Sequence, residues 1–292
     1  MHINDLKYFN QLCIKKSFSK VAKYYDISQP AVSNSLKRLE RHFDTTLLIR
    51  GNSQKELLIT SAGEQLNKHI ESIINELQSA EREIVRMNRK SMMLGLSPII
   101  GNIYFTKIAK QIKESSLTRD IITYEAGSND LEKALITGKL DIALIGSIQK
   151  DQNDLLTFLN FAESKFCVFI SKDNPLSSRT GIYFSELKDQ AFVMFNSSFV
   201  HTQALKAFAK NAHFLPKVLF TSIDVNFLMN MVSENIGVTI LADIVKPNRP
   251  DIVKIPILDD KQPHFYASIA YRSNHLLTES QSSLLEIIKT KL

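Results

Sequence analysis

A very short turn between two amphipathic segments is the feature that most constrains the fold of this chain. Apolar residues recur at helical spacing in three consecutive segments of the first 60 residues. The segment from Asp5 to Lys15 predicts a first helix, Ser19 can cap a second, and Ser28 can cap a third. Only Asp26 and Ile27 separate the second helix from the third. Such a helix-turn-helix is the arrangement that places a second helix in the major groove of DNA.

The third predicted helix, from Ser28 to His42, has one apolar and one polar face. Val32, Leu36 and Leu39 share one side of a helical wheel drawn at about 100° per residue. The opposite side offers a hydroxyl, an amide and two cations, which suit base edges and phosphates. A polar face is also the ordinary solvent side of an amphipathic helix, and the wheel alone leaves both interpretations open. The predicted DNA contacts on this helix are Gln29, Pro30, Ser33, Asn34, Lys37 and Arg41.

A short hairpin is predicted after the third helix. The apolar runs Leu47–Arg50 and Glu56–Ile59 flank the polar tip Gly51–Lys55, which is typical of a β-hairpin wing. Arg50 and Lys55 are predicted to contact the phosphate backbone or the adjacent minor groove.

The excess positive charge is concentrated at the front of the chain. The net charge is +6, and residues 1–60 contain ten Lys and Arg against five Asp and Glu. A basic head followed by a nearly neutral body is what attachment to a phosphate backbone requires. A solvated basic surface without a partner would show the same charge, so this observation supports DNA binding only together with the helix-turn-helix pattern.

Residues 60–90 predict one long helix capped by Thr60. Apolar residues alternate in steps of four and three, which is the a/d pattern of a coiled coil. A stripe this narrow favours a partner helix from a second copy of the chain, although packing against the chain's own body is the alternative. The predicted dimerisation residues are Leu66, Ile70, Ile73, Leu77 and Ile84.

The pattern changes near residue 91, where short apolar strands begin to alternate with helices. This alternation predicts an α/β fold with mostly parallel sheets. We expect a first lobe over 91–164 and 266–292 and a second lobe over 165–265. The predicted strands are Met92–Leu96, Ile121–Glu125, Leu140–Ile145, Phe166–Ser171, Ala191–Phe195, Lys217–Thr221, Val238–Leu241 and Phe265–Tyr271, and the predicted helices are Ile99–Lys113, Asn129–Thr137 and Thr278–Lys289.

Small polar residues follow several of these strands, and they predict a ligand site. Ligands of open α/β sheets bind beyond the carboxyl ends of strands, where helix N-termini point inward. Each serine is individually as well explained as a helix N-cap. His201, one turn into a helix, is expected at the surface, where it could add charge. The predicted effector-binding residues are Ser97, Pro98, Ser128, Asn129, Asn196, Ser197 and Ser222.

Several function classes are disfavoured by what the sequence does not contain. It has no GxGxxG, P-loop or GxSxG motif, its seven histidines are scattered, and its two cysteines, Cys13 and Cys167, suggest neither a disulfide framework nor a zinc site. We therefore expect no catalytic residues, no metal and no cofactor. No apolar run is long enough to span a bilayer, and the start is unlike a signal peptide, so a cytoplasmic protein is expected. A catalytic α/β enzyme and an architectural DNA protein without a ligand are the alternatives.

The front residues resemble the winged helix-turn-helix head of LysR-type transcriptional regulators. Ser28-Gln29-Pro30-Ala31-Val32-Ser33, followed by Leu39-Glu40, is the most specific part of this resemblance. Lys16, Asp44 and Leu48 depart from the family pattern, since two glycines and a phenylalanine are usual there. The flanking family positions are Leu6, Phe9, Ser17-Phe18-Ser19, Ala22, Leu47 to Arg50 and Ile59 to Gly63.

This resemblance covers essentially the whole chain and implies a domain plan. It implies a winged helix-turn-helix domain over 1–59, a linker helix over 60–90 that forms a homodimer or a dimer of dimers, and a two-lobed, periplasmic-binding-protein-like effector domain over 91–292. The implied partners are a partly palindromic double-stranded DNA site, a small-molecule effector and RNA polymerase. The head also resembles regulators of organic-acid operons such as malolactic fermentation, which suggests a carboxylate effector.

Overall fold

The computed structural model describes residues 1–50, 57–115, 117–150, 153–247 and 249–292. The chain forms two compact units, Met1–Glu81 and Arg82–Leu292. The predicted wing tip, with Lys55, lies outside the described residues, as does the side chain of Arg50.

The described part of the first unit contains the three predicted helices, two antiparallel strands and most of a long fourth helix. Ser17, not Ser19, caps the second helix, because its Oγ accepts a hydrogen bond from the Lys20 amide at 3.3 Å. Ser28 caps the third helix as expected, with its Oγ 3.3 Å from the Ala31 amide. Phe9, Leu12 and Leu39 are fully buried in the core between the helices. The elements are α1 (Ile3–Lys15), α2 (Phe18–Tyr25), α3 (Gln29–Phe43), β1 (Leu48–Arg50) and β2 (Leu57–Ile59), with β1 and β2 antiparallel.

The long helix α4 (Ser61–Arg89) begins at its predicted cap, since the Thr60 Oγ1 accepts from the Gly63 amide at 3.0 Å. Its apolar stripe is shared between two roles. Ile70 is 0% exposed and Leu66 is half-buried, because both pack into the helical core of the first unit. The prediction that Ile70 contacts a second copy is therefore wrong, whereas the same prediction for the half-buried Leu66 stays a prediction. Ile73 and Ile84 remain 46% and 59% exposed, and Leu77 is half-buried.

The first lobe of the second unit is built on a five-stranded sheet with the order β4-β3-β5-β12-β6. β3 is parallel to β4 and β5, whereas β12 is antiparallel to β5 and β6. The sheet is thus mixed, and the prediction of a mostly parallel sheet is wrong. The strands are β3 (Met92–Leu96), β4 (Ile121–Glu125), β5 (Ile142–Ser147), β6 (Leu156–Ser164) and β12 (Phe265–Arg272), and the packed helices are α6 (Thr106–Glu114), α7 (Ser128–Ile136) and α10 (Glu279–Lys291).

The second lobe has a three-stranded antiparallel sheet and a parallel strand pair. β7 lies between β10 and β11, and β8 pairs with β9. A bridge between Phe192 and Val238 connects the two groups of strands. β6 and β11 were not predicted from the sequence. The elements are β7 (Phe166–Ser171), β8 (Ala191–Phe195), α8 (Val200–Ala212), β9 (Lys217–Ser222), α9 (Val225–Ser233), β10 (Thr239–Ala242) and β11 (Ile252–Pro256).

The helix predicted over Ile99–Lys113 is interrupted. A short turn, α5 (Pro98–Ile100), is followed by a π-helical segment, Gly101–Phe105, before α6 continues the chain in α-helical geometry. A π-helical segment inserts an extra residue per turn, so it changes the direction in which the following side chains point. Ile99 is buried in the core of the second lobe, while Tyr104 and Ile108 belong to the large core of the unit.

Candidate DNA interface and ligand cavity

The predicted DNA-contacting face of α3 lies on the surface of the first unit. Gln29, Pro30, Asn34, Lys37 and Arg41 are exposed and Ser33 is half-buried. The apolar face of the same helix, with Val32, Leu36 and Leu39, is buried in the core. The structure therefore presents the amide, the hydroxyl and the two cations together on one accessible helix face.

The orientation of α3 is held by a buried carboxylate on α1. Asp5 is 0% exposed, and its Oδ1 accepts hydrogen bonds from the Ser35 Oγ at 2.8 Å and the Arg38 Nη2 at 2.5 Å. Its Oδ2 accepts from the Arg38 Nε at 3.2 Å and the His2 amide at 2.9 Å. Burial raises the pKa of Asp5, but these hydrogen bonds outweigh it and lower the pKa to about 2. The carboxylate is ionised at neutral pH and ties α3 to α1.

Sequence reasoning missed this link. Asp5 and Arg38 are 33 positions apart in the sequence, and no spacing signal pairs them. Arg38 is not among the predicted DNA contacts, and its guanidinium forms an ion pair with Asp5. The residue thus positions the DNA-facing helix.

Another carboxylate, that of Glu40 on α3, fixes the base of the hairpin. The Glu40 Oε1 accepts from the backbone amides of Leu47 at 2.9 Å and Leu48 at 3.5 Å. At the other strand, the Thr60 Oγ1 donates to the Leu47 carbonyl at 3.1 Å. Gly63 follows closely, and a Cβ there would lie 2.3 Å from the same carbonyl oxygen, so only glycine permits this approach. These contacts give a physical role to Glu40 and Gly63 of the family motif.

A cavity of about 440 Å³ in the second unit lies where the predicted ligand segments converge. Residues after β3, β4, β8 and β9 line it, as the rule for the carboxyl ends of strands requires. Of the predicted residues, Pro98 and Asn196 line the cavity directly. We call this space the acidic cavity, and its other lining residues are Asn102, Glu125, Ala126, Gly127, Asp130, Ser198, Phe199, Ile223, Asp224, Val225 and Asn226.

The other predicted effector residues do not line the acidic cavity. Ser97 is 6% exposed, and the buried Ser128 accepts from the Gly146 amide through its Oγ at 2.9 Å. The Ser222 Oγ accepts from the Asp224 amide at 3.0 Å, which is a local turn. None of these serines caps a helix through its side chain, since Ser97 makes no capping hydrogen bond and the N-caps of α7 and α9 are Gly127 and Asp224.

Asn129 connects the two lobes beside the cavity. Its Nδ2 donates to the Ser197 carbonyl at 2.9 Å, its Oδ1 accepts from the Gln203 Nε2 at 3.0 Å, and its amide donates to the Ser198 carbonyl at 3.1 Å. Asn129 and Ser197 were predicted to bind an effector, and the structure instead brings them together as a bridge between the lobes.

The acidic cavity has a clear electrostatic character that sequence reasoning missed. Glu125, Asp130 and Asp224 line it, and no lysine, arginine or histidine does so among the described residues. Asp224 also caps α9 by accepting from the Asn226 amide at 2.8 Å. An anion placed among three carboxylates is repelled, whereas a polyhydroxyl or cationic ligand meets acceptors.

His201 contradicts the expectation of a surface residue. It is 2% exposed, neither ring nitrogen has a hydrogen-bond partner within the described chain, and its ring lies 5.2–5.7 Å from those of Phe166, Phe195 and Phe265. Burial lowers its pKa to about 3, so the imidazole is neutral and contributes no charge to a ligand.

The surroundings of the two cysteines make both thiols poor nucleophiles. Cys13 and Cys167 are buried free thiols, and burial together with neighbouring carboxylates raises both pKa values to about 12. No group of three His, Cys, Asp or Glu side chains that could hold a metal ion occurs in the part of the chain that is described. No helix among these residues is long and apolar enough to cross a membrane.

A helix-turn-helix with its polar recognition face exposed, followed by a two-lobed unit with an interlobe cavity, defines a DNA-binding transcription regulator of the ligand-controlled kind. Comparison with known families agrees. Residues 3–64 match the bacterial regulatory helix-turn-helix protein model of the lysR family, and residues 87–292 match the LysR substrate binding domain. The chain belongs to the LysR family.

One relative is similar along the whole chain, and two solved structures share its fold. The malolactic fermentation system transcriptional activator of Lactococcus lactis is 28% identical over 291 residues, covering 99% of both chains. The crystal structure of full-length CbnR complexed with its target DNA has a TM-score of 0.59 at 14% identity, with 100% of both chains covered. The effector binding domain of QuiR in complex with shikimate covers 69% of this chain and 96% of its own, with a TM-score of 0.61 at 14% identity.

Proposed function

We propose that this regulator binds a partly palindromic DNA site as a homodimer or a dimer of dimers, in the cytoplasm, and that a small molecule in the second unit changes its contact with RNA polymerase. The observation that carries the proposal is the exposed polar face of α3, anchored from behind by the Asp5–Arg38 pair. The DNA-bound CbnR structure shows a similar fold on its target DNA, and the similarity to the malolactic fermentation activator supports a role at an operon of organic-acid metabolism.

The residues of α3 have distinct tasks in this proposal. The Asn34 amide can donate to and accept from one adenine edge, and the half-buried Ser33 can accept or donate to a single base atom. Lys37 and Arg41 lie one turn apart and contact phosphates, which contributes affinity without sequence preference. The Gln29 Oε1 is already hydrogen-bonded to the Ser19 Oγ at 3.1 Å, so it enters the groove in a defined orientation.

The exposed part of the α4 stripe supports self-association. Ile73, Ile84 and Met87 are 46%, 59% and 58% exposed on a helix that is otherwise strongly polar. Large apolar side chains at a/d spacing are stabilised when a second helix covers them. A twofold dimer then sets the two α3 helices at half-sites one helical turn, or a multiple of it, apart.

A physical link from the effector-binding unit to α4 supports ligand control. The last turns of α4 are held on the first lobe by Arg86, which pairs with Asp141, and by Glu83, which pairs with Arg272 and His275. A ligand that changes the arrangement of the lobes therefore acts on the residues that form ion pairs with the end of α4. Ligands shift such an equilibrium only through different affinities for its two states.

The test is selection of a preferred DNA sequence from a random library by the full-length protein, followed by binding to that site. Asn34→Ala is expected to relax preference at one base pair by about 1–3 kcal/mol. Lys37→Ala is expected to weaken all DNA equally and to reduce the salt slope by about one. Lys110→Ala, on an exposed surface of the second unit, is the matched control and should change neither.

Unchanged affinity and unchanged preference in both α3 variants would show that this face does not dock on DNA. The dimer is tested separately by sedimentation, where Ile84→Asp should shift the protein toward monomer because it places a charge on the exposed stripe.

A further inference from the structure

A second cavity, of about 520 Å³, lies between the two lobes on another side of the segment that follows β3. The first lobe contributes Ile99, Asn102, Ile103, Tyr104 and Lys107, and the second contributes Val225, Ile244, Val245 and Lys246. Its volume is within the range of small-molecule sites, which is about 300–1,000 Å³. Because both lobes supply walls, any molecule bound here contacts both at once. We call this space the lysine cavity.

The chemistry of the lysine cavity is apolar with a cationic rim. Isoleucine and valine side chains form most of its walls, and no aspartate or glutamate lines it among the described residues. Lys107 and Lys246 are exposed, and neither ammonium forms an ion pair in the described part of the chain. The Lys107 Nζ instead lies 4.9 Å from the centre of the Tyr104 ring, over its face. Two uncompensated cations therefore border an apolar space.

The π-helical segment Gly101–Phe105 forms one wall of this space through Asn102, Ile103 and Tyr104. π-helical insertions are rare, and they frequently occur at functional sites. Here the insertion separates Ile99, which is buried in the second lobe's core, from Lys107, which stays at the rim. The π-helical segment is an independent observation that points to the same place as the cavity and its charge.

We propose that the lysine cavity binds a small amphipathic anion, with an apolar body against the isoleucines and one carboxylate between Lys107 and Lys246. This inference rests on the proposed function, since it names the ligand class and the site of ligand control. The acidic cavity shares Asn102 and Val225 with it but presents three carboxylates instead of two ammonium groups. An anion is attracted to the lysine cavity and repelled from the acidic cavity.

Ligand binding is measured on the full-length protein with benzoate and hexanoate as probes. Benzamide and hexanamide are the neutral probes of the same shape. Thermal unfolding and NMR titration of labelled isoleucine methyl groups measure the affinity. Shifts of the Ile103 and Ile244 signals show that the probe binds in the lysine cavity. The variants are Lys107→Gln, Lys246→Gln and both together. Lys110→Gln is the matched control, because Lys110 is one turn further along α6 and lies outside the cavity.

We expect both carboxylates to bind, with shifts at Ile103 and Ile244, and both amides to bind at least tenfold more weakly. The double lysine variant should lose at least tenfold in carboxylate affinity, while Lys110→Gln stays within twofold. Equal binding of carboxylate and amide would overturn the proposal, and so would the absence of binding by either carboxylate. So would a double variant of unchanged affinity.

A further pair of variants, Glu125→Gln and Asp224→Asn, tests the competing location. A gain in carboxylate affinity there, with no loss in the lysine variants, would place the anion in the acidic cavity and refute the proposal. DNA affinity measured on the same samples keeps the two hypotheses apart. Retained DNA binding without carboxylate binding refutes only the ligand assignment, and the reverse result refutes only the proposed DNA docking.

Discussion

Arg86 and Asp141 form a buried ion pair in which the guanidinium Nε and Nη2 lie 3.0 Å and 2.8 Å from the same carboxylate oxygen, Oδ1. The other oxygen, Oδ2, accepts from the Met93 amide at 2.7 Å, and the Arg86 Nη2 also donates to the Gly138 carbonyl at 2.9 Å. The Asp141 side chain is 2% exposed and that of Arg86 13%. One carboxylate thus holds the end of α4 against the start of β3.

Removing this carboxylate is expected to destabilise the second unit strongly. Asp141→Ala leaves the Arg86 charge and the Met93 amide buried without an acceptor, and breaking a buried pair in this way costs about 3–5 kcal/mol. Denaturant unfolding of the full-length protein measures this change. Glu114→Ala removes the exposed partner of Lys110, 3.9 Å away, and should change stability by less than about 1 kcal/mol. Equal effects of the two variants would contradict a special role for Asp141.

Replacing Gly127 is predicted to destabilise the contact between the two lobes, because the backbone of the second lobe packs against its Cα. A Cβ there would lie 2.4 Å from both the backbone oxygen and the Oγ of Ser198. Gly127→Ala should therefore cost about 1–3 kcal/mol, and hydrogen exchange at the Asn129 amide, which donates to Ser198, should accelerate.

The matched control for this variant is Gly101→Ala. The nearest atom to a Cβ at Gly101 is the Leu96 Cβ at 3.4 Å, which is ordinary contact. Stability is expected to change by less than about 1 kcal/mol. Exchange at Asn129 that is unchanged in Gly127→Ala would show that the lobes can separate without affecting this bridge.

The strands predicted well from the sequence are mostly those whose residues are nearly all apolar. β3, β4, β7 and β8 have the predicted bounds, and three of them are continuous apolar runs. The strand β6 was missed because it mixes Thr157, Asn160 and Glu163 with apolar residues and alternates weakly in burial. Helix α3 and its outward face were predicted because a single amphipathic wheel determines both.

Features that depend on contacts between distant segments could not be predicted. The apolar periodicity of α4 cannot tell whether Ile70 faces a second copy or the chain's own core, because both environments favour isoleucine. The rule for strand ends selected the right segments for the acidic cavity, yet it does not specify which side chains turn inward. Glu125, Asp130 and Asp224 were therefore missed.

Lys16 is predicted to be a site where a glycine stabilises the first unit. It follows α1 with φ of 47° and ψ of 35°, a left-handed conformation that disfavours a Cβ. Lys16→Gly removes that cost and should raise the free energy of unfolding by about 0.5–1 kcal/mol, after the entropy of glycine is subtracted. Lys23→Gly, inside α2, should instead lower it by about 1 kcal/mol. A loss of stability in both variants would contradict the strain argument.

The buried His201 is predicted to make the second unit acid-sensitive. Its pKa is about 3 in the folded protein, against an ordinary value of 6.5. The unfolded chain therefore takes up the proton first, and stability is complete above pH 6.5 and falls as the pH drops from 6.5 toward 3. The loss from this residue amounts to about 2 kcal/mol at pH 5. Denaturant unfolding at pH 7 and pH 5 measures it.

Two variants isolate the contribution of His201. His201→Leu has a similar volume, does not titrate and removes two unsatisfied nitrogens, so it should abolish most of the additional loss between pH 7 and pH 5. His213→Asn, at the exposed end of the same helix, keeps a residue that tolerates its φ of 57° and should leave the pH dependence as in the parent. Since protonated His201 would have no acceptor among the surrounding phenylalanines, an identical pH dependence in His201→Leu and the parent would mean that the ring is hydrated or rearranged in solution.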